Sequence, residues 1–153
     1  MTEQYSVNWE LDSLYPHPES TEFRTAIDQL KSELSQLAEL SETLPTVSTC
    51  AETVDAWAEF LKRHAAAHAE FSAFNAFVGC HAAADAANKT FQQYEGELSA
   101  LSPLRSQIAT NIEFSFQAAD DSTFATFVSS AKSFEENVYF LQLCRRNASL
   151  RLP

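Results

Sequence analysis

Two histidines one helical turn apart, His64 and His68 in the run HAAAH, have the residue type and spacing best suited to chemistry. Helix positions four apart share a face, so two imidazoles can converge on one metal ion. The zinc-site signature H-E-x-x-H uses this spacing and needs a glutamate after the first histidine to activate a metal-bound water. That position is Ala65, and Glu70 lies about 200° round the helix from the pair. We therefore interpret the two histidines as part of the buried stripe of a helix, with a metal site as the weaker alternative.

Other arrangements that carry chemistry are missing from the sequence. It contains no Gly-x-Ser-x-Gly elbow, no glycine-rich phosphate loop and no Glu-x-x-His pattern of the di-iron bundles. Cys50, Cys80 and Cys144 are odd in number and far apart, which predicts reduced thiols in a cytoplasmic protein. Taken alone, the residues predict neither a catalytic centre nor a cofactor held by this chain.

The composition favours a single all-α domain. The chain has 153 residues, 45% of them hydrophobic, but only 2 Gly and 5 Pro. Sheets and turn-rich folds usually contain more of both, whereas long helices with few connections do not. Alanine-rich runs such as CHAAADAANK add helix propensity. We expect an antiparallel bundle of about five helices.

The charge and hydropathy of the chain restrict its partners. A formal net charge of −11 repels phosphate groups, so we expect no binding to nucleic acid or to an anionic membrane. No window approaches the roughly 18 apolar residues of a spanning helix. The N-terminus MTEQYSVNWE also lacks the basic and apolar regions of a secretory signal.

Apolar residues at helical spacing predict two long helices in the first half of the chain. The first is capped by Ser20 or Thr21 and stops at Pro45, because proline cannot continue the hydrogen-bond ladder. The second opens with a capping box from Thr49 to Glu52 and ends or breaks at Gly79. Its predicted apolar stripe contains Val54, Trp57, Leu61, His64, His68, Phe71, Asn75 and Val78.

The second half of the chain predicts shorter helices. Asp85 is the predicted cap of a third helix, and Pro103 within it predicts a kink or a division into two helices. The polar run starting at Asp120 precedes a short helix. A second capping box, residues 133–136, starts the last helix, whose stripe contains Val138, Leu141 and Cys144.

The segment WELDSLYP resembles the start of the oligoendopeptidase F family, zinc-dependent peptidases related to thimet oligopeptidase. Members typically begin W-D-L-x-x-L-Y, often with Pro next and a helix soon afterwards, and Glu10 stands where the family usually has Asp. The helices that follow and the closing stretch FEENVYFLQLCRRNASLRLP are similar too. The matching motif residues are Trp9, Leu11, Leu14, Tyr15 and Pro16.

The resemblance implies a non-catalytic domain. Family members are several-fold longer, and their H-E-x-x-H zinc site, with a further Glu ligand, lies in a C-terminal part that this sequence does not contain. The region similar to this chain forms part of a helical wall over a channel that admits short unstructured peptides. The resemblance thus implies no cofactor in this chain and zinc in the full-length enzyme. The implied partners are the remainder of the peptidase and, through it, oligopeptide substrates, and the chain alone is expected to be inactive.

We expect residues 1–19 to form an extended strap and residues 20–153 to form the bundle. The apolar motif residues would pack across the helices, since burying each contributes roughly 1.5–3 kcal/mol, and a frayed terminus is the alternative. Apolar surface exposed without the remainder of the enzyme would favour self-association. The alternative function is a free-standing helical interaction module, an adaptor or chaperone-like bundle that binds partner helices.

Overall fold

The described part of the chain is a bundle of helices. The computed structural model describes residues 15–150, so Trp9, Leu11 and Leu14 of the opening motif lie outside the described residues. Every regular element within residues 15–150 is helical, which confirms the all-α prediction. The helices are α1 (Thr21–Thr43), α2 (Ala51–Ala84), α3 (Lys89–Ser99), α4 (Ser102–Ala118), α5 (Asp121–Val128), α6 (Lys132–Glu136) and α7 (Val138–Leu150).

A single apolar core includes residues from all seven of these helices. Helix α1 packs against α2 and α4, α3 packs against α2, and α7 packs against α4. Trp57 of α2 is fully buried, and its ring centroid lies 4.9 Å from that of Phe116 of α4. The Trp57 indole N–H also donates a hydrogen bond to the Pro45 carbonyl at 3.0 Å, which fixes the connection between α1 and α2 over the core.

Some predicted helix ends are confirmed by their local chemistry. The Ser20 hydroxyl caps α1 by accepting a hydrogen bond from the backbone N–H of Phe23 at 3.1 Å. Pro103 lies in the first turn of α4, so the long third helix is divided in two. The Asp120 carboxylate caps α5, and hydrogen bonds from Ser122 and Thr123 lower its pKa.

Three predicted helix starts are wrong. Thr49 does not cap α2, because Cys50 is the N-cap residue and its side chain makes no capping hydrogen bond. Asp85 follows the end of α2, while Asn88 caps α3 by accepting hydrogen bonds from two backbone N–H groups. Ser133 lies inside α6, so the box it was expected to form does not start the last helix.

Two further boundaries differ from the prediction for separate reasons. Helix α2 continues through Gly79, because Val78 and Ala82 remain buried and their burial outweighs the roughly 1 kcal/mol that a helical glycine costs. The last helix is interrupted at Asn137, whose side-chain amide donates to the Ser133 carbonyl at 2.8 Å. Helices α6 and α7 are therefore separate.

Candidate functional site

The histidine pair lies on α2 at the edge of the core. The ring centroids of His64 and His68 are 6.3 Å apart, and the rings are at 88° to each other. His64 is half-buried, and its ring stacks parallel to that of Phe60 at 6.2 Å. Burial lowers the pKa of His64, and the nearby charges of His68 and Arg105 act in the same direction. His68 is exposed, so its predicted place on the buried stripe is wrong.

A groove of about 550 Å³ opens beside these histidines, between α2 and the α6–α7 segment. We call it the histidine groove. Ala58, Ala65 and Ala69 on its α2 wall have short side chains, which leave space between the two walls. Phe134 and Phe140 contribute to the opposite wall. The groove is therefore mainly apolar, as ligand-binding and partner-binding clefts usually are.

None of the described residues that line the histidine groove is acidic. Lys62, His64 and His68 contribute the basic groups, and Ser133 and Asn137 contribute neutral ones. On a chain with a net charge of −11, such a patch is locally favourable for a carboxylate.

The two imidazoles do not meet the requirements of a resident catalytic zinc. Such a zinc is bound by three protein ligands and keeps a fourth position open. Within residues 15–150, no three His, Cys, Asp or Glu side chains come together as a metal-binding group. Among residues 15–150, His64 and His68 thus supply two nitrogens that no third side chain joins.

Three consecutive apolar side chains form a ridge where α7 begins. Val138, Tyr139 and Phe140 are 37%, 77% and 40% exposed, and we call them the apolar ridge. Phe140 lines the histidine groove, and Val138 lines a second groove of about 720 Å³. Val138 was expected on the buried stripe of the last helix, and this expectation is wrong because a new helix begins after Asn137. The unbroken apolar run was the signal in the sequence, since an amphipathic helix cannot bury three consecutive residues on one face.

Arg145 fixes one side of the second groove. Its guanidinium donates to the Ala119 carbonyl at 2.6 Å, at the end of α4, and to the Asp121 carboxylate at 2.9 Å, at the start of α5. It also lies 4.6 Å from the ring centroid of Phe124. The last carbonyls of a helix have no intrahelical donor, so Arg145 closes α4 and holds α7 against the α4–α5 junction.

The described end of the opening motif packs on α2. The ring of Tyr15 is half-buried, with centroid distances of 5.0 Å to Phe74 and 5.5 Å to Phe77. Pro16 is exposed, and Pro18 is buried. The part of the predicted strap that the structure describes therefore lies against the bundle.

A second histidine contact lies beyond Tyr15. The ring centroids of His17 and His81 are 5.3 Å apart at 77°, and His81 also contacts Phe77 and Phe91. The Nε2 atom of His81 is buried without a hydrogen-bond partner among the described residues. This edge-to-face arrangement is typical of packed rings rather than of two nitrogens directed at one metal.

A charged cluster joins α3 to α1. Glu97 accepts hydrogen bonds from Arg24 at 2.9 Å, from Gln93 at 2.7 Å and from Lys31. Burial alone would raise the pKa of Glu97, but these hydrogen bonds outweigh it and lower that pKa to about 2. The cluster therefore links α3 to α1 through a carboxylate that stays ionised.

The cysteines differ in their environment. All three lie within the described residues, and none is disulfide-bonded. Cys50 is exposed, and hydrogen bonds with the hydroxyls of Ser48 and Thr53 lower its pKa. Cys144 is buried, and burial raises its pKa to about 11. Cys50 thus combines exposure with a thiol that ionises more readily than usual.

Comparisons with protein-family models, with curated proteins and with solved structures found no match for this chain. The similarity to the oligoendopeptidase F family therefore depends on the motif residues themselves. None of the helices among residues 15–150 combines the length and the apolarity that crossing a bilayer requires.

Proposed function

We propose that this chain is the non-catalytic N-terminal helical domain of an oligoendopeptidase F-like zinc metallopeptidase that hydrolyses short peptides. In this role it forms part of the wall of the substrate channel, and the zinc is bound by residues outside these 153. The observation that carries the proposal is the packing of Tyr15 against Phe74 and Phe77. Tyr15 is the last apolar residue of the family motif, and an anchored strap requires such contacts.

The side chains of the described residues are consistent with a sheltering role. Two imidazoles that no third described ligand joins suit no catalytic zinc. The adjacent acids Asp120 and Asp121 cap α5 and pair with Arg145, respectively. The proposed partners are the remainder of the peptidase and the oligopeptides that enter its channel. The net charge of −11 argues against nucleic acid and membrane partners. The unpaired cysteines support a cytoplasmic location.

A peptide-hydrolysis assay tests this proposal. We expect the purified chain, with and without added zinc, to cleave quenched fluorescent peptides no faster than buffer does. The matched variant His64→Ala should behave identically, because His64 has no catalytic role in this proposal. Hydrolysis that is abolished by a chelator and lost in His64→Ala would show that the chain has its own metal centre, and the proposal would then be wrong.

A second candidate function is a free-standing helical interaction module. The observation that favours it is the apolar ridge, because three exposed apolar side chains in a row are typical of a contact surface. The coding sequence that follows residue 153 separates the two functions. Our first proposal requires an open frame that continues into H-E-x-x-H, and the second requires a stop codon directly after Pro153.

A further inference from the structure

The apolar ridge and the histidine groove lie side by side on one face of the bundle. Phe140 belongs to both, since it lines the groove and is 40% exposed. Tyr139, at 77% exposure, is the most exposed large apolar side chain among the described residues. One patch therefore carries both a protruding apolar element and an apolar cleft.

The charges around this patch are also complementary. Exposed Lys62 lines the groove together with His64 and His68, and no described lining residue is acidic. The exposed acids Glu135 and Glu136 of α6 precede the ridge and are separated from it by Asn137, and Glu136 also pairs with Lys132 at 3.7 Å. A partner that fits the histidine groove must present apolar side chains close to carboxylates. The apolar ridge with Glu135 nearby has this combination, so the face is complementary to itself.

We propose that a second copy of this chain covers this face. In the pair, the apolar ridge of each copy enters the histidine groove of the other, and Lys62 of each copy faces Glu135 of its partner copy. A two-fold symmetric interface places the same patch on both subunits, so the patch must be complementary to itself. The combination of ridge, groove and opposite charges meets that requirement. The pairing goes beyond the proposed function and does not depend on it.

Sedimentation of the full chain over a range of concentrations tests the proposal. We expect a dimer, and we expect Phe140→Glu to weaken it by about a hundredfold or more, because each dimer loses two central apolar contacts. Leu40→Glu is the matched control, since Leu40 is equally exposed at 40% but lies on α1, which packs against α2 and α4. Tyr139→Glu gives a second test at a side chain so exposed that folding does not depend on it. Circular dichroism would check that each variant keeps its helices.

Two outcomes of this experiment would overturn the proposal. The first is a wild-type chain that remains monomeric up to the highest concentration measured. The second is a dimer that Leu40→Glu weakens as much as Phe140→Glu and Tyr139→Glu do, because the interface would then lie on another face.

A charge-exchange experiment tests the orientation of the pair. Lys62→Glu and Glu135→Lys should each weaken the dimer, because two like-charge contacts then face each other across the symmetry axis. Mixing the two variants should restore it, since both contacts in the mixed dimer join opposite charges. If the mixture associates no better than either variant alone, the ridge of one copy does not face the groove of the other and the proposal is wrong.

Discussion

Replacement of Tyr15 by alanine tests whether the opening motif is anchored to the bundle. The Tyr15 ring is half-buried and contacts Phe74 and Phe77 at centroid distances of 5.0 and 5.5 Å. Truncating a fully buried aromatic side chain to alanine costs about 3–5 kcal/mol. For a half-buried ring we expect a loss of about 2 kcal/mol in the free energy of unfolding. In a chain of this size that corresponds to a decrease in Tm of roughly 4–8 °C.

The matched control for this variant is Tyr139→Ala. It makes the same chemical change at a ring that is 77% exposed, so we expect its effect on the free energy of unfolding to stay within about 0.5 kcal/mol. Urea denaturation followed by circular dichroism measures both variants, at a protein concentration too low for association. Equal stability of Tyr15→Ala and Tyr139→Ala would refute the reasoning, because Tyr15 would then contribute no packing.

Three further predictions concern ionisation. The folded pKa of Glu97, about 2, lies below the ordinary 4.5, so its contribution to stability is full above pH 4.5 and is lost as the pH falls towards 2. The urea midpoint of Glu97→Gln should therefore depend less on pH over this window, and unchanged pH dependence would contradict the role of the cluster. Iodoacetamide should alkylate exposed Cys50 faster than buried Cys144, and Thr53→Val should slow the reaction at Cys50. Peptide mass mapping measures both rates. Equal rates at the two cysteines would contradict the inferred difference in thiol pKa. The folded pKa of His64 is lowered from 6.5, so its contribution to stability is full above that pH and decreases as the pH falls below it. An NMR titration should give a lower pKa for His64 in the folded chain than in the unfolded chain. A folded pKa equal to or higher than the unfolded one would show that burial does not lower it.

Helix ends that depend on local chemistry could be predicted from the sequence. Ser20 can accept a hydrogen bond from the first turn of a helix that follows it. Pro45 and Pro103 cannot continue the hydrogen-bond ladder of a helix that precedes them, although proline is tolerated in a first turn. Pro45 and Pro103 lie next to helix ends, as expected. Of the two predicted caps, Ser20 rather than Thr21 makes the capping hydrogen bond. Such helix ends depend only on residues that are close together in the sequence.

The burial pattern of α2 could be predicted only in part. The expected stripe repeats every seven residues, but a straight helix drifts by about 20° per heptad relative to that repeat. Over the 34 residues of α2 the drift carries His68 and Asn75 off the core, whereas Phe74 and Phe77 are buried, as expected for the aromatic residues of this helix. Which residues lie against the core therefore depends on the neighbouring helices as well as on spacing.

The candidate site itself could not be derived from sequence spacing. The histidine groove exists because α2 faces α6 and α7 across three alanines, and these elements are separated by more than 60 positions in the chain. The apolar ridge exists because Asn137 interrupts the last helix, and this interruption depends on a hydrogen bond from its side chain to a backbone carbonyl. The groove arises from tertiary contacts and the ridge accompanies a local side-chain hydrogen bond, and the periodicity of apolar residues encodes neither.

The length and metal content of the native polypeptide test the central claim most directly. An antibody raised against this chain would isolate the native protein from its own cells under non-denaturing conditions, for intact-mass and zinc analysis. We predict a polypeptide several-fold longer than 153 residues that carries about one zinc ion and yields an H-E-x-x-H peptide on digestion. A native polypeptide of 153 residues without zinc would contradict the claim that these helices shelter a metal site outside their own sequence.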